Sequence, residues 1–204
     1  MENEIEIERK YKVMGKKDLL ERLMSLKNIG SFKLGKPEER IIIDKYFDTP
    51  DKQLLKDNIA VRIRSDNRGY RFLQLKVRQN KKDGTFKRKE SHGEKTEDFK
   101  EILDFLKNSG YIEEVDVSEN MRASLLNSGL EMILDLHNER NSKKIIIDGK
   151  VIGKMELDMV EFEGGKFNEV ELENAPDEDG EMTDFIELFE DKFKDEVKVC
   201  TDKK

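Results

Sequence analysis

The first charged segment of the chain repeats acidic and basic side chains at a fixed spacing. Three glutamates and one lysine occupy every second position of the stretch EIEIERK, namely Glu4, Glu6, Glu8 and Lys10. Because side chains two residues apart lie on the same face of a β-strand, these groups are predicted to share one face. Such a face is typical of a strand exposed to water, and equally of a site that binds metal and phosphate. This segment alone is consistent with both.

Other predicted strands show the same alternation, and the two signs of charge are separated between them. Further acidic positions fall on the last strands, at Glu156, Asp158, Glu169, Glu171 and Glu173. Basic positions concentrate on the strands between, at Arg62, Arg64, Lys76, Arg78, Arg88 and Arg140, with Glu90 beside Arg88. A solvated, salt-bridged face is the common outcome for any single charged strand. Unrelated solvated faces would mix the signs, so the segregation favours a binding site.

The chemistry that these residue types support follows from the strand spacing. Successive residues on one face of a strand lie about 6.6 Å apart, so carboxylates from neighbouring strands can share a hard divalent cation. Mg²⁺ and Mn²⁺ prefer such oxygen ligands. Arginines two residues apart present their guanidinium groups in one direction, which suits phosphate oxygens. A sheet closed with its charged face inward would bring the acids and the bases together.

The elements that must position these residues can be predicted from periodicity and turn residues. Strands are predicted over 3–13, 39–49, 59–65, 70–79, 85–92, 130–141, 143–148, 150–162 and 167–174. Helices are predicted over 16–26, 49–58, 96–110, 118–128 and 182–193, the second of them beginning with Thr49 as its cap and Pro50 as its first residue. The fold class is therefore α+β, with about eight mainly antiparallel strands and helices set apart from them.

Length and composition limit the classes of protein to which this chain can belong. The 204 residues are 35% hydrophobic and 42% charged, yet the net charge is only −7, so we expect one folded domain spanning 1–204. The single cysteine, Cys200, and the absence of an apolar leader or membrane-spanning run suggest a cytoplasmic protein. The net acidity argues against nucleic-acid partners. The oligomeric state stays open between monomer and homodimer.

Six motifs in order resemble one family, the CYTH superfamily of triphosphate tunnel metalloenzymes. EIERK at 6–10 resembles its N-terminal signature, and KYFDTPDKQLLKDNIAVRIR at 45–64 resembles the stretch that follows. LQLK at 73–76, RKE at 88–90, ELD at 156–158 and GGKFNEVELE at 164–173 are similar to the remaining segments, and Arg140 matches a family arginine. The resemblance runs from residue 4 to about 173.

This resemblance implies a closed antiparallel β-tunnel of about eight strands with a charged interior and peripheral helices. It implies that a small-molecule triphosphate is bound by Lys10, Arg62, Arg64, Lys76 and Arg140. It implies Mg²⁺ or Mn²⁺ as cofactor, held by Glu6, Glu8, Asp158, Glu169 and Glu171, with Glu156 as a further candidate. The catalytic residues would be Glu6, Glu8, Glu169 and Glu171, while Arg88 and Glu90 would line the tunnel. Lys203 or Lys204 would supply a late family lysine.

Members of the family hydrolyse inorganic tripolyphosphate or thiamine triphosphate, or convert ATP to cyclic AMP. The sequence favours tripolyphosphate, because tryptophan is absent and no aromatic cluster lies near the motifs to bind an organic cation. The two aromatic residues Tyr46 and Phe47 are expected to pack and not to form part of a site, because Asp48, Thr49 and Pro50 after them are typical of a helix start. An adenylyl cyclase, a thiamine triphosphatase and a polyphosphate-binding module without activity are the alternatives.

Overall fold

The fold was described from a computed structural model, which covers residues 3–14, 18–82, 85–93, 96–118, 120–175 and 179–200. This part of the chain contains five helices: α1 (Leu19–Ser25), α2 (Gln53–Lys56), α3 (Thr96–Asn108), α4 (Met121–Asn127) and α5 (Asp179–Phe193). It also contains the strands β1 (Asn3–Val13), β2 (Asn28–Ile29), β3 (Phe32–Leu34), β4 (Glu38–Asp48), β5 (Ile59–Asp66), β6 (Arg71–Lys82), β7 (Thr85–Gly93), β8 (Glu131–Ile147), β9 (Lys150–Phe162), β10 (Gly165–Asn174) and β11 (Val197–Val199). The α+β class and the antiparallel pairing are confirmed. None of the helices in the described ranges has the length and apolar character needed to cross a membrane.

All eleven strands belong to one sheet. Its longest path of pairings runs β2-β3-β8-β4-β5-β6-β7-β1-β10-β9, and β8 also pairs with β9. Eight of these strands, from β8 through β4 to β9, therefore each have two antiparallel neighbours within the group. The predicted strand count was too low, because the short strands β2, β3 and β11 extend the sheet beyond these eight.

Two further predictions of element boundaries were wrong. Two strands were predicted over 130–141 and 143–148, but they form the single strand β8, in which Asn141 and Ser142 pair with Leu157 and Glu156 of β9. Helix α2 begins at Gln53 instead of Pro50. The N-cap position is occupied by Lys52 instead of the predicted Thr49, although the Thr49 hydroxyl oxygen accepts a hydrogen bond from the Gln53 amide at 2.8 Å.

Helices cover the apolar faces of the strands in two separate cores. The first core places α1 and α5 against β1, β9 and β10, and its fully buried residues include Tyr11, Leu157 and Val170. The second core places α2, α3 and α4 against β5 and β6, around residues such as Val61 and Leu75. Because side chains alternate along a strand, the residues between these apolar positions lie on the opposite face. We call that opposite face the charged face.

Candidate active site

Two arginines on the charged face of β5 share one buried aspartate of β4. Asp44 is only 4% exposed, and it lies opposite Arg64 in the register of the two strands. Arg64 donates from Nε to Asp44 Oδ1 at 2.8 Å and from Nη2 to Asp44 Oδ2 at 2.7 Å. Arg62 donates from Nη1 to the same Oδ2 at 3.0 Å. One carboxylate therefore fixes the orientation of both guanidinium groups.

Neighbouring strands hold Arg62 from two other sides. Its Nε donates to Gln74 Oε1 of β6 at 2.6 Å, and its Nη1 donates to the hydroxyl of Tyr46 at 2.9 Å. The Arg62 guanidinium carbon also lies 5.7 Å from the centre of the Tyr46 ring, within the range of a cation–π contact. Tyr46 thus packs against Arg62 on the charged face, whereas Phe47 packs in the second core. Alternation explains the difference, because adjacent residues of β4 face opposite sides.

The charges around Asp44 keep it ionised. Burial favours the neutral acid, but the hydrogen bonds from Arg64 and the charges of Arg62 and Arg64 outweigh burial and lower the pKa of Asp44. The trio of two guanidinium groups and one carboxylate therefore has one net positive charge.

A third arginine on the charged face, Arg140 of β8, is surrounded by acids. It donates from Nε and Nη2 to the two carboxylate oxygens of Asp158, at 2.7 and 2.6 Å. Its Nη2 also donates to Glu171 Oε2 at 3.1 Å, and its Nη1 pairs with Glu156. The register accounts for this cluster, since Arg140 lies opposite Asp158 on β9, and Glu156 lies opposite Glu171 on β10.

Lys10 of β1 lies on the other side of the same acidic group. It is the register partner of Glu171, and its ammonium group forms an ion pair with that carboxylate. The Lys10 Nζ also lies 3.4 Å from Glu169 Oε1 and 3.4 Å from Glu8 Oε2. Glu171 is therefore contacted by a base from each side, Lys10 and Arg140.

Three of these acids could hold a metal ion. Asp158, Glu169 and Glu171 each offer a carboxylate oxygen, and the three oxygens lie within 4.8 Å of one another. Hard divalent cations such as Mg²⁺ and Mn²⁺ prefer such oxygen donors and retain several waters as further ligands. The donor set therefore fits the predicted cofactor.

The acids of β9 and β10 interact strongly with the bases beside them. Although burial opposes the charged form, Arg140 and Lys154 lower the pKa of Glu156 to about 2. Burial also opposes the charge on Lys154, but Glu156 and Glu173 outweigh it and raise the pKa of Lys154. Burial raises the pKa of Glu173, an effect that the charge of Lys154 only partly offsets. This end of the charged face is a network of compensated charges.

Charged groups also interact between strands that are not neighbours. Arg64 of β5 contributes to the lowered pKa of Glu156 on β9, although β4 and β8 separate their strands in the sheet. Lys76 of β6 acts on the pKa of Glu173, although β7 and β1 separate their strands in the sheet. Charges on the basic strands therefore act on acids of β9 and β10.

Most of the predicted site residues take part in these contacts or electrostatic interactions on the charged face. They are Glu8, Lys10, Arg62, Arg64, Lys76, Arg140, Glu156, Asp158, Glu169 and Glu171. For Glu6, Arg88 and Glu90 the strand register is described but the side chains are not: Glu6 lies opposite Arg88, and Glu90 lies between Glu4 and Lys76. Lys203 and Lys204 lie outside the described residues. Glu8 contacts Lys10 but does not belong to the three-oxygen cluster.

Two charged residues of the site were missed in the sequence. Asp44 lies in the run RIIIDKYFD, where the β-branched residues identify a strand but conceal the charge between them. Lys154 begins the alternating series Lys154, Glu156, Asp158, so its spacing could have identified it. It contacts Glu156 and Glu173 at 3.1 and 2.9 Å.

Comparisons with known proteins agree with this geometry. The sequence model of the CYTH domain matches residues 4–198. None of the curated proteins compared with the chain matches it.

Several solved structures have a similar fold. One is a candidate adenylyl cyclase from Hippeastrum, described as having a dominant triphosphatase activity, with 19% identity, a TM-score of 0.62 and coverage of 98% of this chain and 92% of that chain. Another is a candidate adenylate cyclase from Bacillus halodurans, with 23% identity, a TM-score of 0.57 and coverage of 100% and 97%. A third, from Pyrococcus horikoshii, has 19% identity, a TM-score of 0.52 and coverage of 95% and 93%. At these identities the similarity shows a shared fold.

Proposed function

Because the chain belongs to the CYTH domain family, we propose that it is a metal-dependent triphosphate hydrolase whose preferred substrate is inorganic tripolyphosphate. The observation that supports this most is the contact between Arg140 and two members of the acidic cluster, Asp158 and Glu171. A carboxylate cluster suits a divalent cation and a guanidinium group suits phosphate. Both parts of a metal–triphosphate complex therefore have a matching partner in one place. A module that only binds anions needs no such acids.

In this proposal the eight strands that pair in sequence enclose a tunnel, with the charged face inward. The substrate lies between the basic side and the acidic side. Its phosphate oxygens are bound by Lys10, Arg62, Arg64, Lys76 and Arg140. Phosphoryl transfer depends mainly on positioning and on neutralisation of charge, which these fixed cations supply.

The acidic cluster holds the cofactor. Asp158, Glu169 and Glu171 are the ligands that the geometry supports, and Glu6 and Glu8 of β1 are the further ligands expected from the family resemblance. Mg²⁺ or Mn²⁺, when bound, supplies Lewis-acid polarisation of a phosphoryl oxygen.

One glutamate is suited to receive a proton. The Glu169 side chain is 20% exposed, more than those of Glu171 at 8% and Asp158 at 3%, so water reaches it most readily. We assign to its carboxylate oxygen the proton released by the attacking water. Lys10, 3.4 Å away, stabilises the negative charge of the carboxylate before the transfer.

The alternative function is a class IV-type adenylyl cyclase. In that reaction the ribose hydroxyl of ATP attacks the α-phosphate and pyrophosphate leaves. The similar folds from Hippeastrum and Bacillus halodurans are both described as candidate cyclases, which keeps this alternative open. The same bases can bind the phosphates in either reaction, as they can in a thiamine triphosphatase.

A substrate panel tests the proposal. The protein would be incubated with tripolyphosphate, thiamine triphosphate or ATP, each with Mg²⁺ or Mn²⁺, and the products resolved by phosphorus NMR and chromatography. We expect the fastest turnover with tripolyphosphate, giving orthophosphate and pyrophosphate in equal amounts. Formation of cyclic AMP from ATP, without release of any orthophosphate, would contradict the hydrolase and support the cyclase. Binding without turnover of any substrate would leave only a binding module.

A further inference from the structure

We propose that Asp44 is a positioning residue that limits the charge of the phosphate-binding arginines and fixes their direction, so that its removal tightens anion binding while slowing turnover. The inference rests on the proposed function for its turnover readout, but its binding readout does not require hydrolysis. Asp44 contacts neither the acidic cluster nor, in the proposed complex, the phosphate. It acts through Arg62 and Arg64.

The geometry shows how one carboxylate directs two cations. Arg64 contacts both Asp44 oxygens from Nε and Nη2, an arrangement with two parallel hydrogen bonds. Arg62 uses only Nη1 for Asp44, at 3.0 Å, and donates its Nε to Gln74. Asp44 thereby fixes which guanidinium nitrogens of each arginine face it. Because the guanidinium group is planar and rigid, this also fixes the direction of its remaining N–H groups.

Burial makes this contact strong. Asp44 is 4% exposed and Arg62 is 7% exposed, so water screens their attraction weakly. Without the carboxylate, two guanidinium groups would lie close together in a poorly solvated place, with their mutual repulsion uncompensated. They would be drawn to any anion that enters, and each would be freer to turn.

Opposite effects on binding and turnover follow from this arrangement. Replacing Asp44 by asparagine raises the net charge of the trio from one to two, which strengthens the attraction for phosphate. We expect at least roughly fivefold tighter binding of tripolyphosphate, because one unit charge near a phosphate oxygen has about this effect even at a water-like dielectric and a larger one where water screens weakly. The loss of fixed direction misplaces the phosphate chain, and a misplacement of about 1 Å costs on the order of 100-fold in turnover.

The experiment compares three variants with the wild type. Tripolyphosphate binding is measured by calorimetry without metal, and kcat and KM are measured with Mn²⁺. D44N is expected to bind more tightly and turn over more slowly. D44E keeps the charge but displaces it by one methylene, so it should bind like the wild type while its kcat still falls. D135N is the matched control, because Asp135 of β8 forms an exposed ion pair at 2.6 Å with Lys45, the residue that follows Asp44 in β4.

The outcomes separate the possible roles of Asp44. Unchanged binding and unchanged kcat in D44N would overturn the proposal, as would an equal loss of both, which a merely structural role predicts. If D44N does not fold, D44E carries the test, and an unchanged kcat in D44E would overturn it. If the wild type hydrolyses no triphosphate, the proposed function fails, and the calorimetric comparison still decides how Asp44 affects anion binding.

Discussion

Glu171 accepts a hydrogen bond from Arg140 Nη2 at 3.1 Å, and the same carboxylate belongs to the three-oxygen cluster that suits a metal ion. Lys10 pairs with it from the other side. Two of the five bases proposed to bind phosphate, Lys10 and Arg140, are therefore already paired with acids proposed to bind metal. Occupation of the site by a metal–triphosphate complex requires these pairs to exchange partners.

This relationship predicts that metal and triphosphate bind cooperatively. A cation on the carboxylates releases Arg140 and Lys10 for phosphate, and phosphate on these bases releases the carboxylates. We expect Mn²⁺ to tighten the binding of a non-hydrolysable tripolyphosphate analogue to the protein at least roughly fivefold, the lower end of usual coupling energies. This factor is taken after correction for the complex that Mn²⁺ and the analogue form in solution. Calorimetric titrations with and without Mn²⁺ measure this factor. By linkage, the analogue must tighten Mn²⁺ binding by the same factor, and a factor of one would contradict the exchange.

Separate variants should distinguish the acidic side from the basic side. In E169A we expect hydrolysis of tripolyphosphate to be abolished while metal-free anion binding remains, because Glu169 is assigned to metal and proton transfer. In R62A we expect both to weaken, since the side chain is assigned to phosphate. Rates of orthophosphate release and calorimetric affinities measure the two effects. Equal turnover by E169A and the wild type would remove Glu169 from the metal site.

The pH dependence of stability should reveal the buried carboxylate of Asp44. Its pKa is lowered below the ordinary value of 3.8, so its ionised form stabilises the folded state above that pH. The contribution is lost as pH falls below 3.8 through the folded-state pKa. The free energy of unfolding in urea would be measured for the wild type and D44N from pH 7 to pH 3. We expect a difference of about 3 kcal/mol at neutral pH that shrinks at the acid end, whereas a constant difference would contradict the assignment.

A buried lysine should matter for stability and not for turnover. Lys143 is 2% exposed, and its ammonium group donates to the backbone oxygens of Leu23 and Met24 at the end of α1, at 3.2 and 2.8 Å. Replacing it with methionine leaves these carbonyls without their donor, which costs about 1–3 kcal/mol each. We expect K143M to melt at a lower temperature with kcat unchanged, because the side chain lies on the helix-covered face. A reduced kcat in the fully folded variant would contradict this.

Periodicity predicted the long strands and the residues on their charged face. Glu169 and Glu171 could be identified because acidic and apolar residues alternate from Glu169 to Glu173 within β10. The partner of each charge could not be predicted, because pairing depends on which strands become neighbours. Arg140, assigned to phosphate, contacts the acids of β9 and β10.

The elements that were missed are those with weak local signals. β2 and β3 have two and three residues, too few to show an alternation. Asn141 and Ser142 resemble a turn in the sequence, but pairing with β9 on one side and β4 on the other holds them in an extended conformation. Asp44 was overlooked because its role depends on two arginines about twenty residues away in the chain.

In the proposed function, the acidic cluster holds a metal ion that is required for turnover of the bound triphosphate. The most direct test measures the rate of orthophosphate release from tripolyphosphate against Mn²⁺ concentration, in the wild type and in E169Q, which removes one carboxylate charge at nearly constant size. We predict saturable dependence on Mn²⁺ in the wild type, no release after chelation, and at least a roughly 100-fold lower rate in E169Q. Equal rates with and without metal, or in the two proteins, would contradict the claim.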